Sequence, residues 1–165
     1  QAPDRRGALA QALDEETRLQ QQFFQKGGGR ERISTLREEM QVTMEQGAGI
    51  YRGGDSLTRA SDKLNELRER FDSIALDDCT HVFNTELVSA LELSFMLDVA
   101  ETITHSALRR TESRGAHQRT DFPARNDEKF LAHSLAYRQN GGPPKMEYLP
   151  VTITRWAPGE RVYGR

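Results

Sequence analysis

The side chains best suited to chemistry in this sequence are concentrated in one stretch, ESRGAHQRTDFPARND, which covers residues 112–127. Arginines, a histidine and several carboxylates lie together there, and the candidate functional residues are Arg114, His117, Arg119, Asp121 and Arg125. The planar guanidinium group of arginine fits a carboxylate through two parallel hydrogen bonds. Such a cluster can hold a dicarboxylate substrate, contact a nucleic acid, or brace one part of a protein against another.

The charge balance of this stretch separates these possibilities. Its arginines are matched by the carboxylates of Glu112, Asp121 and Asp127, so the segment is neutral when its histidine is neutral. The whole chain has a net charge of -2. Neither supplies the basic surface that a nucleic-acid contact needs, and we expect no nucleic-acid partner. Ion-pair networks are common outside active sites, which favours the brace, while a substrate site stays open on the residues alone.

Other local patterns that could carry chemistry each lack a required feature. The glycines of GAGIYRGG follow a helix and have an arginine where a nucleotide fingerprint needs its third glycine, so we expect a helix end and a turn. Glu101 and His105 lack the repeated Glu-x-x-His spacing of a di-iron bundle. Cys79 lies near His81, but no third group orients a base. A hydrolase built on His117 is a distant alternative because no nucleophile accompanies it.

Hydrophobic periodicity predicts the helices that position this stretch. A rough apolar face covers residues 8–25, and three glycines at 27–29 should end that helix. A second helix begins near Ile33 and ends at Gly47. The third is capped by Asp55. It has the cleanest pattern in the chain, with apolar positions at Leu57, Ala60, Leu64, Leu67, Phe71 and Ile74.

A fourth helix should form the centre of the molecule. Asn84 is its expected N-cap, and it should continue to about Ser113 before Gly115 turns the chain. Its residues are apolar on nearly every side between Leu87 and Ile103, a pattern typical of a helix that neighbours cover on several faces. We therefore expect Phe95 to be buried.

The character of the chain changes after Pro123. FLAHSLAYRQ and MEYLPVTIT read as two strands around a Gly- and Pro-rich loop, which predicts a β-hairpin. The predicted fold is mainly α, a bundle of three to four helices with a C-terminal β-hairpin appendage. We expect residues 1–120 to form the bundle and residues 121–165 to pack on it as loop, hairpin and tail, within one structural domain.

Length and composition set further limits. No apolar run approaches the roughly 20 residues that cross a bilayer, so we expect no direct membrane insertion. Cys79 is the only cysteine, which excludes a disulfide within the chain. The sequence does not start with Met, and we interpret it as a piece of a longer protein.

A series of short motifs follows along the chain: GIYR at Gly49–Arg52, NTEL at Asn84–Leu87, ALEL at Ala90–Leu93, SAL at Ser106–Leu108, ESRGAHQR at Glu112–Arg119, DFPARND at Asp121–Asp127, PVTITRW at Pro150–Trp156 and RVYG at Arg161–Gly164. In this order they resemble the C-terminal region of the flavoprotein subunits of fumarate reductase and succinate dehydrogenase. The family usually has Arg-Asp-Asp where this chain has Arg125, Asn126 and Asp127. One carboxylate is therefore lost, together with any ion pair that it makes.

The resemblance implies that this chain is the C-terminal helical domain of an FAD-dependent oxidoreductase that interconverts fumarate and succinate. In that family an N-terminal domain binds FAD, generally through a covalent link to a histidine, and a capping domain closes over the dicarboxylate. Electrons pass to or from an iron–sulfur subunit and a quinone anchor. The resemblance thus implies no catalytic, cofactor-binding or metal-binding residue in this fragment.

The partners that the resemblance implies are the flavin-binding and capping domains of the same parent chain and the iron–sulfur subunit of the parent complex. The expected location is cytoplasmic, with the parent complex on the inner face of the cytoplasmic membrane. The five candidate residues would then brace a contact between domains, and some of them should be exposed and underpaired in the fragment. The alternative is an autonomous helical protein-interaction module without enzymatic activity.

Overall fold

A computed structural model describes residues 5–24, 31–139 and 142–159. Helices dominate it, and two short pairs of strands complete it. The elements in chain order are α1 (Arg5–Leu19) with a following π-helical turn (Gln20–Phe24), α2 (Ile33–Ala48), β1 (Tyr51–Arg52), α3 (Gly54–Phe71), α4 (Thr85–Arg109), β2 (Gln118–Arg119), α5 (Asp127–Phe130), β3 (Ala132–Tyr137) and β4 (Lys145–Pro150). The predicted fold class, mainly α with a C-terminal hairpin, is confirmed.

The core lies where α2, α3 and α4 pack against one another. Every apolar position that the sequence predicts for α3 is buried, including Ile74, which lies just beyond the end of the helix. Leu36 and Met40 of α2 and Leu93 and Leu97 of α4 also contribute to this core. The alternating steps of three and four residues keep these side chains on one face of each helix, as an amphipathic pattern requires.

The first helical segment contributes little to this core. Leu9 and Leu13, which the sequence places on an apolar face, are exposed, and α1 contains no buried residue. Leu19 at its end packs against the core, and the following π-helical turn enters it, where Phe23 packs edge-on against Phe71 with ring centroids 6.2 Å apart. The glycines at 27–29 that should end this helix lie outside the described residues.

The predicted N-cap of α3 is wrong, and the predicted N-cap of α4 is confirmed. The N-cap of α3 is Gly53 rather than Asp55, because the hydroxyl of Ser56 accepts from the Gly53 amide at 3.1 Å and fixes the start two residues earlier. Asn84 caps α4 as predicted, since its side-chain oxygen accepts from the Leu87 amide at 2.7 Å. The Asn84 amide group also donates to two carbonyls of the preceding loop.

The central helix differs from the prediction at its end and on one face. It stops at Arg109 instead of continuing to Ser113, and Arg110 is already extended. Phe95 is 64% exposed rather than buried, because α2 and α3 cover only the opposite side of α4. No helix among the described residues is both long enough and apolar enough to span a bilayer.

Two strand pairs flank the stretch that contains the candidate residues, and one of them includes Arg119. The parallel pair β1–β2, which the sequence did not predict, aligns Tyr51 with Gln118 and Arg52 with Arg119. The predicted hairpin forms from β3 and β4, with Ala132 opposite Pro150. It lies beside the C-terminal end of α4. The division of the chain near residue 120 stays a prediction.

Candidate functional site

Arg119 lies at the point where the ends of α3 and α4 meet. The pairing of β2 with β1 carries it there, and its side chain is only 3% exposed. One terminal nitrogen donates to the carbonyls of Ala107 and Leu108, at 2.7 and 3.3 Å. These carbonyls belong to the last turn of α4, whose C-terminal end carries partial negative charge. A buried cation therefore caps the end of the central helix.

Asp121 completes this connection at the start of α3. Arg119 holds it through two parallel hydrogen bonds, 2.8 and 2.7 Å long. The same carboxylate accepts from the backbone amide of Gly54 at 3.0 Å, at the positive end of the α3 dipole. The hydrogen bonds from Arg119, with the Gly54 amide adding to them, lower the pKa of Asp121 to about 2. The pair thus joins the C-terminus of one core helix to the N-terminus of another.

Glu112 is the fully buried centre of a second network. It has no solvent exposure, and it accepts hydrogen bonds from Arg110, from Arg114 at 2.9 and 3.0 Å, and from the Asn126 amide at 2.8 Å. Burial alone raises the pKa of this carboxyl. The hydrogen bonds from Arg114, Asn126 and Arg110 outweigh burial, and the pKa is lowered overall. Glu112 is therefore a buried carboxylate whose charge is compensated from several sides.

Arg110 connects this network to the hairpin. Its guanidinium donates to the carbonyls of Phe130 and Ala132 at 2.9 and 2.5 Å and to the Ser134 hydroxyl at 3.3 Å. It also lies over the Phe130 ring, 5.4 Å from the centroid. Phe130 ends α5 and Ala132 begins β3. The Arg110 side chain therefore fixes the start of the hairpin relative to the C-terminal end of α4.

Asp127 links Arg114 to Arg125. It accepts from Arg114 at 2.5 Å and pairs with Arg125 at 3.0 Å. Arg125 also donates to the Gly159 carbonyl in the C-terminal tail at 2.8 Å. The preceding residue, Asn126, caps α5 by accepting from the Lys129 amide at 2.9 Å, and asparagine fills an N-cap as well as aspartate does. Asn126, which stands where the family usually has aspartate, therefore still supplies the acceptor that caps α5.

His117 forms a third contact, with the loop between α2 and α3. Its Nδ1 lies 3.1 Å from a guanidinium nitrogen of Arg52, and its Nε2 lies 3.0 Å from the Arg110 carbonyl. Because arginine only donates, Nδ1 must accept, and Nε2 carries the proton and donates to the carbonyl. Burial lowers the pKa of His117, with neighbouring arginines acting in the same direction. The neutral ring bridges β1 to the end of α4.

The structure brings all five predicted residues together, but it corrects their expected environment. Arg119 is buried whereas Asp121 and Arg125 are exposed. Each of the five residues has a hydrogen-bond or ion-pair partner among the described residues, so the expectation that some of them would be underpaired is wrong. Sequence reasoning missed the roles of Arg52, Arg110 and Glu112. The available signal was the spacing of Glu112, which lies two residues from an arginine on each side.

This arrangement favours a brace over a reactive site. The guanidinium forks of Arg114 and Arg119 are filled by protein carboxylates and carbonyls. Both ring nitrogens of His117 are also engaged, which leaves it poorly placed as a general base. A network with its charges paired internally stabilises a geometry, as ion-pair networks commonly do outside active sites.

The weaker candidates have structural explanations. His105 contacts the Ser61 hydroxyl at 3.2 Å, and within the described residues no group of three or more His, Cys, Asp or Glu side chains could hold a metal ion. Gly47 lies at a helix crossing, where an added Cβ would come within 2.5 Å of the Ala60 Cβ. Cys79 is exposed.

Comparison with known proteins identifies the family. The model for "Fumarate reductase flavoprotein C-term" matches residues 37–163, which include most of α2, all of α3 and α4, the networks around Arg119 and Glu112, and the hairpin. The chain belongs to this fumarate reductase flavoprotein C-terminal family. The resemblance that the motifs indicate is thereby confirmed.

Curated relatives and solved structures agree with the family. A fumarate reductase flavoprotein subunit of Mycobacterium tuberculosis is 57% identical over 94% of this chain and 27% of its own length. A succinate dehydrogenase flavoprotein subunit of Rickettsia bellii is 36% identical over 79% of this chain and 23% of its own length. An E. coli quinol fumarate reductase structure matches 99% of this chain and 28% of that chain, with a TM-score of 0.91 and 42% identity. The chain spans about a quarter of the length of these proteins.

Proposed function

We propose that this chain is the C-terminal helical domain of an FAD-dependent flavoprotein that interconverts fumarate and succinate. The observation that carries the proposal is the family match over residues 37–163, together with the shared fold over 99% of the chain. The relatives are named fumarate reductase and succinate dehydrogenase flavoprotein subunits. Both names describe one reaction in opposite directions.

In this proposal the flavin and the reacting dicarboxylate are bound by the rest of the polypeptide. Among the described residues, the glycines between α2 and α3 do not form a phosphate cradle. Gly47 faces Ala60 at a helix crossing, and Gly53 caps α3, so their positions are explained by packing. The internal pairing of Arg119 and the double engagement of His117 also leave them poorly suited to hold substrate. We assign no catalytic or cofactor-binding residue to this chain.

The role that we assign to Arg114, His117, Arg119, Asp121 and Arg125 is a brace. Their networks fix the ends of α3 and α4, the loop at β1 and the start of the hairpin relative to one another. A domain held in this way presents a constant surface to its neighbours. Those neighbours are the flavin-binding and capping domains of the same polypeptide.

The proposed setting of the whole protein follows from its relatives. They are named subunits, and one similar structure is described as quinol–fumarate reductase with menaquinol molecules. We propose an iron–sulfur subunit as the electron-transfer partner, and a location on the inner face of the cytoplasmic membrane.

The full-length gene product tests this function. We expect the purified protein to show a flavin absorption band and to reduce fumarate or oxidise succinate with an artificial electron carrier. The 165-residue chain, purified in the same way, is the matched control and should do neither. A colourless, inactive full-length product would contradict the proposal and favour an autonomous helical interaction module.

A further inference from the structure

One side of α4 carries four exposed apolar residues between positions 88 and 103, with the exposed Glu92 between the first two of them. Val88, Phe95, Val99 and Ile103 are 54, 64, 57 and 40% exposed. Their spacing of seven, four and four residues places them on one face. With a rise of about 1.5 Å per residue, this row is about 22 Å long. These four residues are called the α4 stripe.

The neighbouring helix shows that such a surface is not a general feature of this bundle. α3 packs on the same core, yet all of its exposed residues are polar: Asp55, Thr58, Arg59, Asp62, Asn65, Glu66 and Glu69. The exposed residues of α4 are mainly large and apolar: Thr85, Val88, Glu92, Phe95, Val99, Ile103 and Arg109. Single exposed hydrophobic residues are common on soluble proteins, whereas a contiguous apolar patch marks a surface that a partner covers. Glu92 is exposed on the same face and separates Val88 from the other three residues, so the contiguous part of the stripe consists of Phe95, Val99 and Ile103.

We propose that the α4 stripe is the surface against which the remaining part of the same polypeptide packs in the full-length protein. This inference rests on the proposed function, in which the chain is one domain of a longer flavoprotein. The M. tuberculosis relative has most of its length outside the matched region, which covers 27% of it. The occupant is therefore an apolar protein surface on that part of the chain.

The small size of the stripe favours a covalently connected partner. A stable complex between separate proteins buries roughly 800 Å² on each side, which is more than four side chains on one helix face supply. A partner in the same chain is held at a high effective concentration, so a smaller contact is sufficient. The arginine-rich networks are less suited to form the main contact, because Arg119 and Glu112 are already buried and paired.

Thiol accessibility in the full-length protein tests the proposal. Val99→Cys and Val88→Cys report on two points of the stripe, and Val42→Cys on α2 is the matched control, because Val42 is a helical valine with 44% exposure. Maleimide labelling is followed at each site by peptide mass spectrometry. We expect both stripe thiols to react roughly tenfold or more slowly than the control, since a covered site reacts only when it opens transiently. Equal rates at all three sites would overturn the proposal.

Two further arms distinguish the other occupants. The flavoprotein is labelled alone at low and high concentration, and again within the assembled complex. Protection that disappears on dilution would identify a second copy, and protection only in the complex would identify another subunit. Either result overturns the assignment.

The flavin content of the same samples separates the two proposals. A flavin-loaded protein with unprotected stripe thiols contradicts only the docking surface. A flavin-free protein with protected stripe thiols contradicts only the proposed function.

Discussion

Replacing Arg119 with alanine is the most informative perturbation of this domain. The substitution removes two hydrogen bonds to Asp121 and those to the Ala107 and Leu108 carbonyls. Hydrogen bonds to charged groups contribute about 1.5–3 kcal/mol each, and breaking a buried ion pair costs about 3–5 kcal/mol. Asp121 is partly exposed, so water replaces some of its lost contacts. We therefore expect a loss of about 2–4 kcal/mol in the free energy of unfolding.

Chemical denaturation followed by circular dichroism measures this loss. Arg119→Lys is the matched control, because it keeps the charge but lacks the planar fork, and it should fall between the wild type and Arg119→Ala. Asp121→Asn still offers an acceptor to the Gly54 amide, and a double-mutant cycle with Arg119→Ala isolates the pair itself. A loss below about 0.5 kcal/mol for Arg119→Ala, the range of ordinary surface substitutions, would refute the buried connection between the helix ends.

The same substitution in the full-length protein distinguishes a brace from a catalytic group. A brace predicts a lower melting temperature or lower flavin content, with the turnover per bound flavin largely unchanged. Loss of a direct contact to the transition state would instead lower turnover by about a hundredfold to a thousandfold in a folded, flavin-loaded protein. That second outcome would show that Arg119 reaches the substrate.

Three further predictions concern stability and are measured by denaturation of the 165-residue chain. Leu93→Ala should cost about 2–5 kcal/mol because Leu93 is fully buried, whereas its exposed neighbour, Phe95→Ala, should stay within about 0.5 kcal/mol; equal costs would contradict this placement of α4. Gly47→Ala should cost about 1–3 kcal/mol because the new methyl group meets Ala60 at 2.5 Å, and a neutral result would show that the helices separate freely. The folded-state pKa of His117 is lowered, so the unfolded chain binds its proton at higher pH, and stability should fall as the pH drops below about 6.5. His117→Gln should remove this part of the pH dependence, and an unchanged profile would contradict the neutral ring.

Local sequence patterns predict the helices and the hairpin because each depends on neighbouring residues. The three-and-four spacing of α3 and the amide cap at Asn84 are both confirmed. The start of α3 was missed because Gly53 has no capping side chain of its own and relies on Ser56. The pair β1–β2 was missed because two-residue strands separated by a long stretch of chain leave no periodic signal.

The candidate site was predictable as a cluster but not as a network. Residue types and spacing identify Arg114, Arg119 and Asp121, and the family resemblance adds weight to the stretch. Which carboxylate each arginine binds depends on how α3 and α4 pack together, and local residue types and spacing do not reveal this packing. Glu112 illustrates the limit, because its complete burial follows only from the positions of Arg110 and the loop at Asn126.

The wrong prediction that Phe95 is buried has a different origin from the errors at the start of α3 and at the pair β1–β2. The hydropathy of α4 predicts a helix that is covered on nearly every side, whereas the structure of this chain covers one side. Hydropathy patterns reflect the environment of a helix in the complete protein, including parts that lie outside the present chain. The same residues that contradict the predicted burial, Val88, Phe95, Val99 and Ile103, are therefore the ones expected to be covered in the full-length flavoprotein. Labelling at Val99→Cys decides between two explanations. A protected thiol shows that this face of α4 is buried in the full-length protein, and a reactive thiol shows that the predicted burial is wrong there as well.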